Sequence, residues 1–220
     1  MLETKTRGPY AKTAERRATI AEAAHDVVME VGHDALTTAA VAKRAGISER
    51  TMLYHFPTRD HLLVAALELA DQLTSDDAFA RAGDYEARQM DPDWLDELMD
   101  AISRSSVNTD ARTRLHVHLA AMAATPDHPA RDYFKQHYER AITGIAQQIK
   151  SHQAAGIAHP DKDPMTVARR VVAAWDGLQQ QWLVTQDFDL PAEIHATFRD
   201  LTGRSVMETR QAMEELLAQI

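Results

Sequence analysis

Between Ser48 and His55 the chain sets six polar or charged side chains within eight positions: Ser48, Glu49, Arg50, Thr51, Tyr54 and His55. These residue types suit a polyanion with readable edges. Arginine can pair with guanine O6 and N7, glutamate can accept from cytosine N4, and hydroxyls beside a cationic side chain suit backbone phosphates. Thr38 and Arg59 flank the cluster with the same kinds of group. Further upstream, Lys5, Arg7, Lys12, Arg16 and Arg17 form a basic stretch able to follow a nucleic-acid backbone or enter a minor groove.

The overall charge runs against this chemistry, but its distribution does not. The formal net charge is -9 at pH 7. Residues 1–60 nevertheless hold nine basic and eight acidic residues, whereas the remaining 160 hold 15 basic and 25 acidic. Only the first part is a plausible phosphate-binding surface.

Other chemistries find little support. The chain has no cysteine, which excludes disulfides, thiolate metal sites and cysteine nucleophiles and fits a reducing compartment. There is no Gly-rich phosphate loop, nucleophile elbow or His-Glu-x-x-His zinc helix. Asp76 and Asp77 are adjacent, as in an ordinary helix-end loop. His116 and His118 lie two apart, so on a helix they point to different faces and make a poor metal pair. The expectation is therefore no catalytic residue, no metal site, no cofactor and no enzyme. No apolar run reaches signal-peptide length at the start or the roughly 18 residues of a membrane span, so a soluble, cytoplasmic protein without a membrane partner is expected.

The elements that must hold the polar cluster are legible from hydrophobic period and caps. Ile20, Ala23, Ala24, Val27, Val28 and Val31 recur at helical spacing, and Gly32 stops that helix. Thr37 caps a short helix through Arg44, with Val41, Ala42 and Ala45 inward and Gly46 permitting a tight turn. Ser48 caps a third helix to about His55, with Met52, Leu53 and Phe56 as candidate inward residues. Pro57 breaks it, and Thr58 and Asp60 begin a fourth through Leu62, Leu63, Ala66, Leu67 and Ala70. Longer helices are predicted near 92–106, 110–124, 128–155, 163–186 and 191–218, with Gly203 a candidate split in the last. The acidic, weakly periodic stretch 75–90 reads as loop or frayed helix. No segment alternates as a strand, so the fold expected is all-α: a three-helix, helix-turn-helix domain followed by a larger helical bundle.

Two short helices around a glycine turn, the second opening on a polar cap, can lay a helix in the major groove. In this setting Leu36-Thr37-Thr38, Val41-Ala42, Ala45-Gly46-Ile47-Ser48, Thr51, His55-Phe56 and Arg59-Asp60-His61-Leu62-Leu63 resemble the TetR family of bacterial transcriptional regulators in order and spacing. The resemblance covers roughly residues 13–65. Downstream, Asp163-Pro164 through Trp175-Asp176-Gly177-Leu178 and Trp182-Leu183 is similar to the penultimate helix of BetI-type members. The resemblance implies a basic arm at 1–12, a DNA-binding domain at 13–58 and an effector-binding and dimerisation domain at 59–220.

Carried over by position, it implies that Thr38, Thr51, His55 and Arg59 meet phosphates, while Ser48, Glu49, Arg50 and Tyr54 lie at base edges or flanking phosphates. The chain departs from the family pattern at Leu53, where tyrosine is common, at Arg50, where a small residue is common, and at Ala39, often a polar reader. Its contact set must therefore differ.

The family resemblance also implies a homodimer, paired through the helices at 128–155 and 163–186, on double-stranded palindromic operator DNA with half-sites about 34–36 Å apart or a multiple of that. A small-molecule effector pocket is implied, for which Met99, Ile102, His118, Met122, Trp175, Gln179 and Trp182 are the candidate lining. An effector that binds the DNA-incompetent arrangement better would release the operator, with the fourth helix as the link. The competing expectations are a regulator that activates, or a helical protein-interaction module whose helix-turn-helix merely packs.

Overall fold

In the computed structural model, residues 9–82, 92–108 and 110–218 are described. They form ten helices and no strand. The first four are α1 (Pro9–Val31), α2 (Thr38–Arg44), α3 (Glu49–His55) and α4 (Arg59–Ala82). Next come α5 (Pro92–Asn108), α6 (Asp110–Met122) and α7 (Ala130–Ala154). The last are α8 (Pro164–Thr185), α9 (Leu190–Thr202) and α10 (Arg204–Leu217). The all-α expectation holds. Lys5 and Arg7 of the basic stretch, and residues 83–90 of the acidic one, lie outside the described residues; 75–82 are helical and close α4. α1 begins at Pro9, so Lys12, Arg16 and Arg17 stand on a helix.

The chain forms two compact units. The first takes the described residues up to Leu73 together with Arg114–Tyr133, and the second takes Thr74–Thr113 and the residues from Phe134 on. The first unit thus continues past residue 58, the limit expected for the DNA-binding domain. The beginning of α4 explains this, since Leu62, Leu63 and Leu67 are fully buried along with Ile20, Val28, Leu36, Val41 and Met52. Each fully buried Leu or Ile of this kind contributes about 1.5–3 kcal/mol of burial free energy.

In the second unit α9 is the hub, packing on α5, α8 and α10. Phe198, Ile194 and Leu190 of α9 share a core with Met99 of α5, Ile142, Ala146 and Ile149 of α7, and Val167, Ala168, Val171 and Trp182 of α8. Local signals set the ends of these helices. Asp163 caps α8 by accepting from the Thr166 amide at 2.8 Å, and these hydrogen bonds from Thr166 hold its carboxyl below the usual range. Asp189 caps α9 through the Ala192 amide at 3.1 Å. Gly203 splits α9 from α10 with φ 74°, and a Cβ there would come within 2.7 Å of the His159 Cβ. Glycine is required on both counts. Lys162 Nζ donates to the Asp200 and Leu201 carbonyls at 3.2 and 2.8 Å, closing the end of α9.

Candidate nucleic-acid interface

The candidate reading helix, α3, is built by caps and one special turn. Thr37, in extended backbone, accepts from the Ala40 amide at 3.1 Å and opens α2. Val41 and Ala42 are buried, and the helix ends at Ala45. Gly46 then takes φ 66°, a left-handed conformation that glycine reaches without strain, and the Ile47 amide donates back to the Ala42 carbonyl at 3.1 Å. Ser48 returns to extended backbone and accepts from the Thr51 amide at 3.2 Å, opening α3. Met52 and Phe56 turn inward, at 0% and 4% exposure.

Leu53, grouped with them on sequence, is 39% exposed and lies on the outer face instead. In a two-turn helix the inward face is fully taken by Met52 and the C-cap Phe56, and Leu53 falls about 100° away from Met52. The outer face comprises Glu49, Arg50, Thr51, Leu53 and Tyr54, with Tyr54 83% exposed. The Tyr54 ring meets His55 edge-on at 5.2 Å.

Three contacts assign unexpected work to residues of this surface. Thr38 donates to the Glu49 carboxylate in a short hydrogen bond, tying the start of α2 to the start of α3. Glu49 is thereby committed to Thr38 rather than paired with its neighbour Arg50. Arg59 does not lie open at the surface; its Nε donates to the Leu36 carbonyl at 3.0 Å, and its Nη2 to the carbonyls of His33 and, at 3.3 Å, Asp34. The guanidinium clamps the α1–α2 turn onto the start of α4. Arg17, reached on sequence only as part of a basic stretch, donates from Nη1 to the His55 carbonyl at 2.5 Å, and its guanidinium lies 4.2 Å from the centroid of the Phe56 ring. It anchors the C-terminus of α3.

Arg17 thus holds the C-terminal end of α3, while Arg59 ties the turn that leads into α2 to the start of α4. The Gly32–Leu36 turn leaves carbonyls without helical partners, but the sequence does not say which cation meets them. Arg17 gave no signal of its role, being 38 residues from the carbonyl it holds. On the other side, Arg44 pairs with Glu30 and with Asp26 at 3.6 Å, fixing α2 to α1, and the Glu30 hydrogen bond raises its already high pKa. Lys12, Arg16, Lys43 and Arg50 remain exposed cations of this unit.

The candidate effector residues divide between the units. His118 and Met122 belong to the first, where His118 packs on His33 and Met122 is 36% exposed. Met99, Ile102, Trp175, Gln179 and Trp182 belong to the second, where the two tryptophans, Met99 and Ile102 form part of the apolar core or pack against it. Gln179 is buried and donates to Ser106 Oγ at 2.8 Å. Among the described residues no cluster of three potential metal ligands occurs, and no helix is long and apolar enough to cross a membrane.

Residues 20–66 match the model of the family described as bacterial regulatory proteins, tetR family. The chain is 27% identical over 173 residues to the HTH-type transcriptional repressor KstR of Mycobacterium tuberculosis, covering 77% of this chain and 71% of that protein. It is also 27% identical to the HTH-type transcriptional regulator PksA of Bacillus subtilis, over 74% of this chain and 77% of the relative. In fold it is similar to a TetR transcription regulator from Haloarcula marismortui, with a TM-score of 0.69 and 19% identity over 86% of this chain and 97% of the other. The same holds for Thermus thermophilus FadR, a TetR-family repressor in complex with lauroyl-CoA, with a TM-score of 0.63 and 18% identity over 84% and 92%. The capped, glycine-turned pair α2–α3 lies inside the matched segment, so residues 20–66 are similar to the DNA-binding domain of that family, and the chain as a whole is similar to regulators that carry it.

Proposed function

We propose that the protein is a ligand-responsive cytoplasmic repressor that binds palindromic operator DNA as a homodimer and is released by a small-molecule effector. The observation that carries this reading is the outer face of α3, where Arg50 and Tyr54 project into solvent while both helix ends are capped from within the fold. Arg50 and Tyr54 then read base edges. Thr38, Ser48, Thr51 and His55 line the same surface and serve phosphates, with Glu49 holding Thr38 in place. Arg59 acts by positioning, because its Nε and Nη2 are taken by carbonyls.

The dimer reading gains support from apolar side chains left in solvent. Val206, Met213, Leu216 and Leu217 of α10 are 61–68% exposed, and Met165 and Val184 of α8 are exposed too. On α7, which the family resemblance pairs across the two-fold, the large apolar residues Tyr133, Phe134, Ile142 and Ile149 are buried. We therefore assign the pairing surface to α8 and α10. The effector reading rests on Met99, Ile102, Trp175, Gln179 and Trp182 of the second unit, an apolar group with one buried amide. That Thermus thermophilus FadR holds lauroyl-CoA supports it, and Trp175–Leu178 with Trp182-Leu183 on α8 supports the BetI-like type.

Retention of DNA fragments from upstream of its own gene, measured against salt, tests the reading. Specific retention with a steep salt slope is expected. Arg50→Ala should relax sequence preference by about 1–3 kcal/mol at one base pair. Equal losses on operator and scrambled DNA would remove Arg50 from the base-reading set.

A further inference from the structure

The rings of His33 and His118 pack against each other with centroids 4.7 Å apart and planes tilted by 37°. His33 belongs to the α1–α2 turn, and His118 to the last turns of α6. The His33 backbone carbonyl is one of those that hold Arg59. The ring pair therefore joins α6 to the turn on which the Arg59 clamp depends, all within the first unit.

The groups around His33 come from three elements. Asp34, in the same turn, places Oδ1 3.4 Å from Nε2, but its side chain is 90% exposed and its charge is largely screened by solvent. Arg59 faces the ring from α4, and Arg114 and His118 face it from α6. The His33 side chain itself is only 12% exposed. A proton placed on this pair is thus poorly hydrated and meets more positive than negative charge.

We propose that the His33–His118 contact makes operator binding acid-sensitive: protonation separates the α1–α2 turn from α6 and displaces the carbonyls that Arg59 binds, loosening the turn that leads into α2. The proposal rests on the operator-binding reading above. Burial holds the His33 imidazole below its ordinary value of 6.5, with His118, Arg59 and Arg114 acting in the same direction and Asp34 against them. A histidine lowered in the packed state binds its proton more readily in the separated one. The packed arrangement is therefore complete above about pH 6.5 and loses ground as pH falls from there toward the lowered value.

The sign separates this device from ordinary charge effects. Acid adds positive charge to a DNA-binding surface and by itself strengthens binding. Here operator affinity at fixed salt should fall, not rise, between about pH 7.5 and about pH 5.5. His33→Phe keeps a ring in the contact and removes the buried group that takes up the proton, and should abolish the fall; His118→Phe leaves His33 buried and should only reduce it. Affinity that rises in acid, or an unchanged fall in both variants, would overturn the proposal.

A second readout does not depend on DNA. Proton NMR of the His33 ring in the full chain should give a titration below 6.5 that moves toward 6.5 in His118→Phe, with circular dichroism confirming that the variant is folded. A His33 ring titrating at or above 6.5 in the unaltered protein overturns the proposal. If the unaltered protein bound no operator at any pH, the repressor reading would fail while the NMR titration still decided the histidine contact.

Discussion

α3 and α10 each leave one face to solvent, and the two faces are chemically opposite. α3 is seven residues long, capped by Ser48 at its start and held by Arg17 at its end, and its outer face offers Glu49, Arg50, Thr51 and Tyr54. α10 starts at a glycine with no side-chain cap and carries Val206, Met213 and Leu217 along one stripe, with Leu216 beside it. The first face keeps its groups hydrated and directional, as a polyanion with readable edges requires. The second exposes apolar area that a partner would remove from water. Beside the stripe Arg210 and Glu214 pair with each other at 2.8 Å. A face left over after folding thus indicates the kind of partner it awaits.

The comparison breaks most readily at α10. Replacing Val206 and Met213 together by lysine should weaken self-association at least about a hundredfold, since each copy would lose two apolar side chains worth about 1.5 kcal/mol or more apiece. Sedimentation velocity measures this directly. A dimer unaffected by both lysines would return the pairing surface to α8 alone.

At the reading helix the largest effect should come from beneath its surface. Met52 is fully buried, and Met52→Ala should destabilise the first unit by about 2–5 kcal/mol in denaturant melts. A loss under about 1 kcal/mol would mean that α3 is held mainly by its caps. The caps themselves are expected to contribute less. Ser48→Ala should cost about 1 kcal/mol of stability and lower operator affinity without altering which base is preferred. A changed base preference would show that the Ser48 hydroxyl, hydrogen-bonded to Thr51 Oγ1 at 2.7 Å, also reads DNA.

Much of the fold could be read from the chain because its signals are local. Thr37, Ser48 and Gly46 lie within a few residues of the backbone groups they satisfy, so α2, its turn and α3 follow from spacing alone. Gly32 and Gly203 mark helix ends for the same reason. Leu53 was harder, because in so short a helix two inward residues suffice and periodicity does not say which apolar residue is left over. The contacts of Arg17, Arg59 and Glu49 span 38, 23 to 26, and 11 residues. No local rule distinguishes such a cation from one waiting for phosphate.

The candidate effector set shows the same limit from another side. Trp175 and Trp182 lie on a helical stripe that the sequence displays, but whether a stripe faces a core, a ligand or a second copy depends on which helices pack beside it. Helix type, helix ends and the reading motif were decided by the chain's own order, since hydrogen bonds within a few residues form wherever the chain allows them. The roles of Arg17, Arg59 and Glu49, the burial of Phe134, Ile142 and Ile149 on α7 and the exposure of apolar side chains on α10 were decided only by tertiary packing. Burial and long-range hydrogen bonds depend on which distant segments compete for the same surface.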